Sequence, residues 1–429
     1  MGGRAGSGRK RMEQMSEVVE VKDIAAAAER LSPVVTTTPL HESRRLSAEL
    51  GCPVRLKRED QQITRSYKLR GAFTVVSSLS GAERALGVVC ASAGNHALGV
   101  AYSCQLLGVR ARVFLPTTTP RQKRQQIQSI GGDLVETVVA GHSFDEASAS
   151  ARADCATTGA IYVHPFDDPR TIAGQGTVAV EITRQADGPI GTLVVPVGGG
   201  GLIAGMAVWF RAHSPSTRIV GAEPAGAASM TAALAAGHPV TISSTDRFVE
   251  GAAVERVGDR TFPIVRDLVD EVRVVDEGAV ATEMLALYQV DGIITEPAGA
   301  LASAAALGLG RPTEDPVVCV VSGGNNDVSR YAETIERSLV HEGLRHYFLV
   351  TFPQEPGSLR HFLDEVLGEG DDIVLFEYVK KSNKDTGPAL VGIELERAGD
   401  LAHLLARMEA SPLSIERVPP DSPLSLFLT

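Results

Sequence analysis

Four consecutive glycines, Gly198-Gly199-Gly200-Gly201, stand between the apolar run Leu193–Val197 and an apolar stretch that opens at Leu202. Glycine weakens the interior of a strand or a helix, so such a run must be a turn, and one where the backbone is left bare. The same punctuation recurs along the chain. Val88–Ala91 is followed by a Gly/Asn turn and the apolar stretch Ala97–Leu107, and Val317–Val321 by Ser-Gly-Gly-Asn. Val113–Leu115 precedes Pro116 and a polar helix through Gln128, and Leu134–Val139 a helix around Ser143–Ala153. Strand, turn and helix repeated in this way predict α/β architecture, with parallel sheets covered by helices.

The pattern changes after about Glu342. A strand is expected over Tyr347–Phe352, a helix over Leu359–Leu367 and strands over Ile373–Val379 and Ala389–Leu395, with a polar hairpin-like stretch Lys380–Pro388 between the last two. A helix over roughly Asp400–Met408 follows, and this order is a ferredoxin-like plan. Residues 345–429 carry a net charge of −6 and read as a separate α+β domain. The expected division is a flexible tail at 1–16, a main domain at 17–342 with a nested lobe at about 66–161, and a C-terminal domain at 343–429.

With 429 residues and 44% hydrophobic side chains, the chain can bury large cores. Its net charge of −11 argues against nucleic acid or an anionic membrane as the main partner. No apolar run approaches the roughly 20 residues of a membrane span, and the basic N-terminus lacks the apolar segment of a secretory signal. Five scattered cysteines without a CxxC suit a reducing cytoplasm and offer no metal framework.

Lysine is scarce. There are 8 against 33 arginines, and between Tyr67 and Val379 the only ones are Lys68 and Lys123. Lys68 stands beside an aromatic residue in Ser66-Tyr67-Lys68-Leu69-Arg70-Gly71-Ala72, before a small-residue helix, where an amine can form an imine with an aldehyde. A solvated surface lysine is the ordinary alternative. The glycine run has backbone N–H groups and a helix start to offer an anion, or is a flexible turn. Ser92-Ala93-Gly94-Asn95-His96 can hold a carboxylate or phenolic oxygen, or is a capped helix start. Ser322-Gly323-Gly324-Asn325 puts a hydroxyl at a strand end, or is a turn.

Taken together and in this order, these segments resemble the tryptophan-synthase-β-like, fold-type-II pyridoxal-phosphate enzymes, and most of all the threonine dehydratases. Matching stretches also include His164-Pro165-Phe166-Asp167-Asp168-Pro169, Ala173-Gly174-Gln175-Gly176-Thr177 and Glu296-Pro297-Ala298-Gly299-Ala300. The resemblance covers about Val21 to Arg330. It implies two α/β lobes with pyridoxal 5′-phosphate between them, carried by Lys68 as an imine. It further implies that Gly198, Gly199, Gly200, Gly201 and Leu202 hold the phosphate, that Asn95 bonds the phenolic oxygen, that Tyr67 packs near the ring and that Ser322 faces the pyridine nitrogen. The family more often has Phe at the place of Tyr67. Ser92, Ala93, Gly94, Asn95 and His96 would orient the carboxylate of L-threonine, and Lys68 would take the α-proton. The implied products are 2-oxobutanoate and ammonia, at the first step of isoleucine biosynthesis.

Two departures matter. Racemases of this family carry a second serine where this chain has Ala93, which has no proton to give, so dehydration is expected without racemisation. Some relatives bind a divalent cation with an aspartate six residues past a Glu-Pro glutamate. Here Glu223-Pro224 is followed at that offset by Ser229, so no required metal is expected, and Glu223 reads as a strand-end structural carboxylate.

Phe352-Pro353-Gln354-Glu355-Pro356-Gly357-Ser358-Leu359 and Ile373–Tyr378 resemble the ACT-like regulatory domain of the biosynthetic threonine dehydratases, in the short form with one such module. Feedback inhibition by isoleucine follows from the resemblance, with Phe352, Pro356, Gly357, Leu359, Phe376 and Tyr378 as expected pocket residues. A cytoplasmic homo-oligomer, tetramer or dimer, is the family expectation. The alternatives are a serine dehydratase or racemase of the same fold, and a non-catalytic amino-acid sensor.

Overall fold

The computed structural model describes residues 19–243, 246–310, 315–378, 384–419 and 422. The expected tail at 1–16 lies outside them. The chain forms two compact units, one reaching to Glu277 and taking in Ala286–Asn326, the other made of Gly278–Leu285 and the residues from Asp327 onward.

In the first unit, β1 (Leu40–Glu42) and β2 (Val54–Arg58) are followed by β3 (Val88–Ala91), β4 (Ala111–Leu115), β5 (Val135–Val139) and β6 (Ile161–Tyr162). β7 (Thr192–Pro196), β8 (Arg218–Pro224), β9 (Glu271–Val275) and β10 (Val317–Val321) complete it. These strands make two sheets. The smaller is parallel throughout, in the order β5-β4-β3-β6. The larger runs β1-β2-β10-β7-β8-β9 and is parallel except where β1 meets β2. The chain thus starts the large sheet, leaves to build the small one and returns. β7 and β10 are buried at every residue, which is why they read as unbroken apolar runs and not as alternating ones.

Helices lock to each other through glycines. In the helix Pro169–Gln185, a Cβ on Gly174 would stand 2.6 Å from the Arg70 carbonyl oxygen and 2.8 Å from Gly71 Cα. In the helix Gly201–His213, a Cβ on Gly205 would stand 2.2 Å from the Ile172 carbonyl oxygen. The motif Ala173-Gly174-Gln175-Gly176 is therefore a helix-crossing device.

A buried charge cluster ties the helix Lys68–Ser78 to the large sheet. Arg70, 1% exposed, donates to both oxygens of Glu59 at 2.8 Å and to Glu181 at 2.8 Å, and Lys57 donates to Glu181 at 2.5 Å. Each of these charges is desolvated, and each is compensated by hydrogen-bonded opposite charge.

The second unit contains β11 (Arg345–Pro353), β12 (Asp371–Tyr378), β13 (Thr386–Leu395) and β14 (Ser414–Val418), with the helices Ser358–Glu365 and Leu401–Ala410. Its sheet is antiparallel, in the order β12-β13-β11-β14. Phe348, Val350 and Phe352 alternate inward along β11 onto a core with Phe362, Val391, Ile393 and Leu404. The ferredoxin-like order is complete, because β14 adds a strand that the sequence reading did not reach. β13 also starts earlier than expected and includes Pro388. That proline lies beyond the last β12–β13 pair, Tyr378 with Ala389, where its missing N–H breaks no bond to β12. The stretch Val379–Asn383 lies outside the described residues.

Candidate active site

The carboxyl ends of β3, β7 and β10 feed the three loops singled out from sequence. Ligands in open α/β sheets bind at such strand ends. Lys68 is the first residue of its helix, and its Nζ donates to the carbonyl of Pro165 at 3.0 Å. Burial pulls its pKa down to about 8, against the opposing charge of Glu296. An appreciable share of this amine is therefore neutral near neutral pH, unlike an exposed lysine. Nζ lies 5.2 Å from the centroid of the Tyr67 ring, whose hydroxyl burial pushes upward in pKa.

The glycine loop is a tightly packed cradle at the N-terminus of the helix Gly201–His213. Gly200 takes φ +89°, a left-handed conformation natural to glycine. A Cβ on Gly199 would stand 2.3 Å from the Phe166 ring, and one on Gly201 would stand 2.9 Å from Phe166 Cα. The Gly199 carbonyl accepts from Thr261 Oγ1 at 2.6 Å and from the Gly258 N–H at 3.3 Å. Leu202 sends its side chain into the core at 3% exposure, so only its backbone is available to a ligand.

The stretch from His164 to Asp168 supports this cradle as a structural turn. Asp167 accepts from the backbone N–H groups of Asp259 at 3.1 Å and Arg260 at 2.8 Å, and Asp168 caps the helix Pro169–Gln185 through the Arg170 N–H at 2.8 Å.

The 92–96 loop is built more openly. Ser92 Oγ accepts from the Gly94 N–H at 3.2 Å, and the helix Asn95–Leu107 makes its first backbone bond from Leu98 to Gly94. The amides of Asn95, His96 and Ala97 have no intrahelical acceptor. A Cβ at Gly94 would meet nothing within 4 Å. Ala93 packs on the small-sheet core. The His96 ring is 3% exposed and donates Nε2–H to the Val163 carbonyl at 2.8 Å. Burial, with the Lys68 charge second, pushes its pKa down to about 3, so it is a neutral imidazole. Its Nδ1, like Ser66 Oγ, is buried without a hydrogen-bond partner among the described residues.

Ser322 is 3% exposed, and its Oγ donates to the Ala298 carbonyl at 3.1 Å. Its own carbonyl accepts from the Tyr67 N–H at 3.2 Å, and Ser66 pairs with Gly323, so the lysine and serine segments are stitched together. Arg65, just before them, has φ +56° and is the one non-glycine residue with positive φ among those described. In the sequence, Glu296 and Asn325 stand out only as members of their motifs. Asn95 Nδ2 donates to Glu296 Oε1 at 2.6 Å, and Asn325 Nδ2 donates to Asn95 Oδ1 at 2.7 Å. Burial raises the Glu296 pKa to about 7.

Glu223 is the strand-end structural carboxylate that was expected. It is fully buried, and it accepts from the Met230 N–H at 2.5 Å and the Thr231 N–H at 2.9 Å.

In the second unit, the expected pocket residues divide. Phe352 is buried at 3% exposure, with ring centroids of Phe362, Phe376 and Tyr378 at 5.5, 6.0 and 5.9 Å. Pro356, Gly357, Leu359 and Tyr378 are exposed, while Phe376 is half-buried.

Residues 31–323 match the family described as pyridoxal-phosphate dependent enzyme, and residues 336–428 match the C-terminal regulatory domain of threonine dehydratase. The biosynthetic L-threonine dehydratase of Mycobacterium tuberculosis is 56% identical over 408 residues, 95% of either chain. That of Bacillus subtilis is 48% identical over 411 residues, covering 95% of this chain and 97% of its own. This chain belongs to the biosynthetic threonine dehydratase family.

Among solved structures, the processed form of threonine deaminase isoform 2 from Solanum lycopersicum aligns with a TM-score of 0.71 at 39% identity, covering 79% of this chain and 90% of that one. Maize serine racemase aligns with a TM-score of 0.69 at 34% identity, covering 76% and 99%. The fold is thus that of the fold-type-II pyridoxal-phosphate enzymes, with a regulatory domain attached. The cofactor of the family is pyridoxal 5′-phosphate, and the residues present fit it. A buried, partly neutral amine suits an aldehyde, and a glycine-lined helix start suits a phosphate. Ser66 Oγ and His96 Nδ1, on the segments that carry Lys68 and Asn95, are buried without a hydrogen-bond partner among the described residues. Among the described residues, no helix is long and apolar enough to cross a membrane, and no group of three or more metal-ligating side chains occurs.

Proposed function

We propose that this chain converts L-threonine to 2-oxobutanoate and ammonia for isoleucine biosynthesis. The observation that carries the reading is Lys68, an amine with its pKa drawn down to about 8, set between the glycine cradle and the Ser322 loop in a chain of this family. Bound there, pyridoxal phosphate supplies an aldehyde for the amine and a ring that withdraws electrons from the substrate's α-carbon.

The chain's own residues do the rest. Gly198, Gly199, Gly200, Gly201 and Leu202 hold the phosphate by backbone N–H groups at the positive end of a helix. Tyr67 would pack near the ring, and Asn95 would bond the phenolic oxygen. Ser322 would meet the pyridine nitrogen with an uncharged hydroxyl, which would not hold a proton there as a carboxylate would. A cofactor held in this way would be a weaker electron sink, which would suit elimination, in which the β-hydroxyl takes up a proton and leaves as water. The free amides of the 92–96 loop orient the substrate carboxylate, and Lys68 Nζ removes the α-proton. Ala93 offers no proton to the opposite face, so the reaction ends in elimination and not in racemisation.

The catalytic domain is proposed to span 17–342, with its small lobe at about 66–161, and the regulatory domain 343–429. Isoleucine is the proposed inhibitor, acting by binding one state of the regulatory domain better than another, with Phe352, Pro356, Gly357, Leu359, Phe376 and Tyr378 at or near its pocket. The working form is proposed to be a cytoplasmic dimer or tetramer.

Threonine turnover with and without isoleucine, on wild type and Lys68→Ala, tests the whole reading. Lys68→Ala is expected to lose the borohydride-reducible adduct and at least about a thousandfold in rate. An adduct mapping to another residue removes the catalytic assignment. A flat isoleucine response at subsaturating threonine removes the regulatory one.

A further inference from the structure

We propose that Glu296 and Asn325 are positioning residues that lock the side-chain amide of Asn95, so that it presents an N–H and never its carbonyl oxygen to the phenolic oxygen of the cofactor. This inference rests on the proposed function and names residues that set up its site.

The orientation follows from the chemistry of the partners. Asn325 Nδ2 lies 2.8 Å from the backbone carbonyl of Thr64, which can only accept, so the NH₂ end of Asn325 must face that way. The same NH₂ has a second hydrogen, which goes to Asn95 Oδ1 at 2.7 Å. The Asn325 oxygen accepts from Gln126 Nε2 at 3.4 Å, consistent with that choice. With its oxygen engaged, Asn95 must turn its NH₂ to the other side. There Glu296 Oε1 takes one hydrogen at 2.6 Å, and a carboxylate oxygen is an acceptor.

The second Asn95 N–H has no acceptor among the described residues, and Glu296, which takes the first, lies near enough to Lys68 to act on its charge. A flipped Asn95 would set its NH₂ against the Asn325 NH₂ whatever the charge on Glu296, and above about pH 7, where Glu296 is a carboxylate, it would also set its oxygen against an acceptor. Gly323 makes room for the arrangement. A Cβ there would stand 2.4 Å from Glu296 Oε1 and 3.2 Å from Asn95 Nδ2. One backbone carbonyl thus sets the polarity of an amide two residues removed from it along the hydrogen-bond chain.

The test is a mutant cycle read on cofactor binding and spectrum as well as turnover. Glu296→Ala and Asn325→Ala are made in wild type and in Asn95→Ala, with Glu296→Gln as the conservative variant that keeps an acceptor oxygen. Each protein is stripped and titrated with pyridoxal phosphate, and the pH midpoint of its visible absorbance band is recorded. Each alanine variant is expected to bind the cofactor roughly two- to tenfold more weakly and to shift that midpoint, with Glu296→Gln close to wild type. In the Asn95→Ala background, the further loss is expected to fall below about twofold, since both residues act through Asn95. Losses of full size in that background overturn the clamp. So does a lowered melting temperature of the stripped protein with an unmoved absorbance midpoint, which would mark a structural role only. Wild type that takes up no pyridoxal phosphate overturns the proposed function itself, a result distinct from either.

Discussion

Two strand-end loops of this chain are built from similar parts and finished differently. The 198–201 loop and the 92–96 loop both leave a parallel strand, and both open a 13-residue helix whose first amides have no intrahelical acceptor. The first is closed from behind: Phe166 fills the space over Gly199 and Gly201, and Thr261 and Gly258 hold the Gly199 carbonyl. The second is open at Gly94, where an added methyl meets nothing. A ligand that stays bound repays a rigid, pre-formed cradle, whereas one that enters and leaves at every turnover needs a loop with room beside it. The difference teaches that the two loops can be told apart by what packs behind them, and it accords with the proposal that the first holds the phosphate and the second the substrate carboxylate.

Gly199→Ala should break the first loop outright. Its methyl would stand 2.3 Å from Phe166 Cγ, against the ring face, and overpacking of that kind costs about 1–3 kcal/mol, or up to about a hundredfold in pyridoxal-phosphate affinity by equilibrium titration. An unchanged affinity would show that the cradle is not the phosphate site. Thr261→Val keeps shape but removes the hydroxyl that holds the Gly199 carbonyl. Cofactor affinity should fall about tenfold, while the threonine KM at saturating cofactor stays as it was.

The Lys68 amine sharpens the comparison from between the loops. With a pKa of about 8, it is roughly one-tenth neutral at pH 7 and half neutral at pH 8, so the stopped-flow rate of cofactor capture should rise about fivefold across that unit. The sign follows from the lowered pKa, since the reactive neutral form gains as pH increases. A flat profile over pH 7–8 would place the reactive amine elsewhere. Gly94→Ala is expected to have the smallest effect, about threefold in threonine KM, with cofactor affinity and melting temperature unchanged. Should it weaken the cofactor as much as Gly199→Ala does, the two loops do not divide the work as described.

Much of this site was legible because its signals are local. A strand that ends in glycines, a Ser-Ala-Gly-Asn-His helix start and a lysine in a lysine-poor chain each lie within a few residues, where backbone preference and chemistry act directly. The C-terminal sheet was legible as alternating apolar residues on β11, but β14 was missed because its five residues, Ser-Ile-Glu-Arg-Val, show only a short alternation and find their place by pairing with β11. Leu202 and His96 were singled out for their place in a motif, and the structure turns both side chains into the interior.

The sequence by itself determined the strand–turn–helix grammar, the two glycine- and asparagine-bearing helix starts, the amine and the second, acidic domain, since each depends on neighbours along the chain. Only the tertiary structure decided that Glu296 meets Asn95 across 201 positions, that Asn325 meets it across 230, and that Arg70 is buried between Glu59 and Glu181. Hydrogen bonds and ion pairs between distant residues leave no periodic trace in a sequence. They exist only once packing has brought the partners within about 3 Å and removed the water that would otherwise satisfy them.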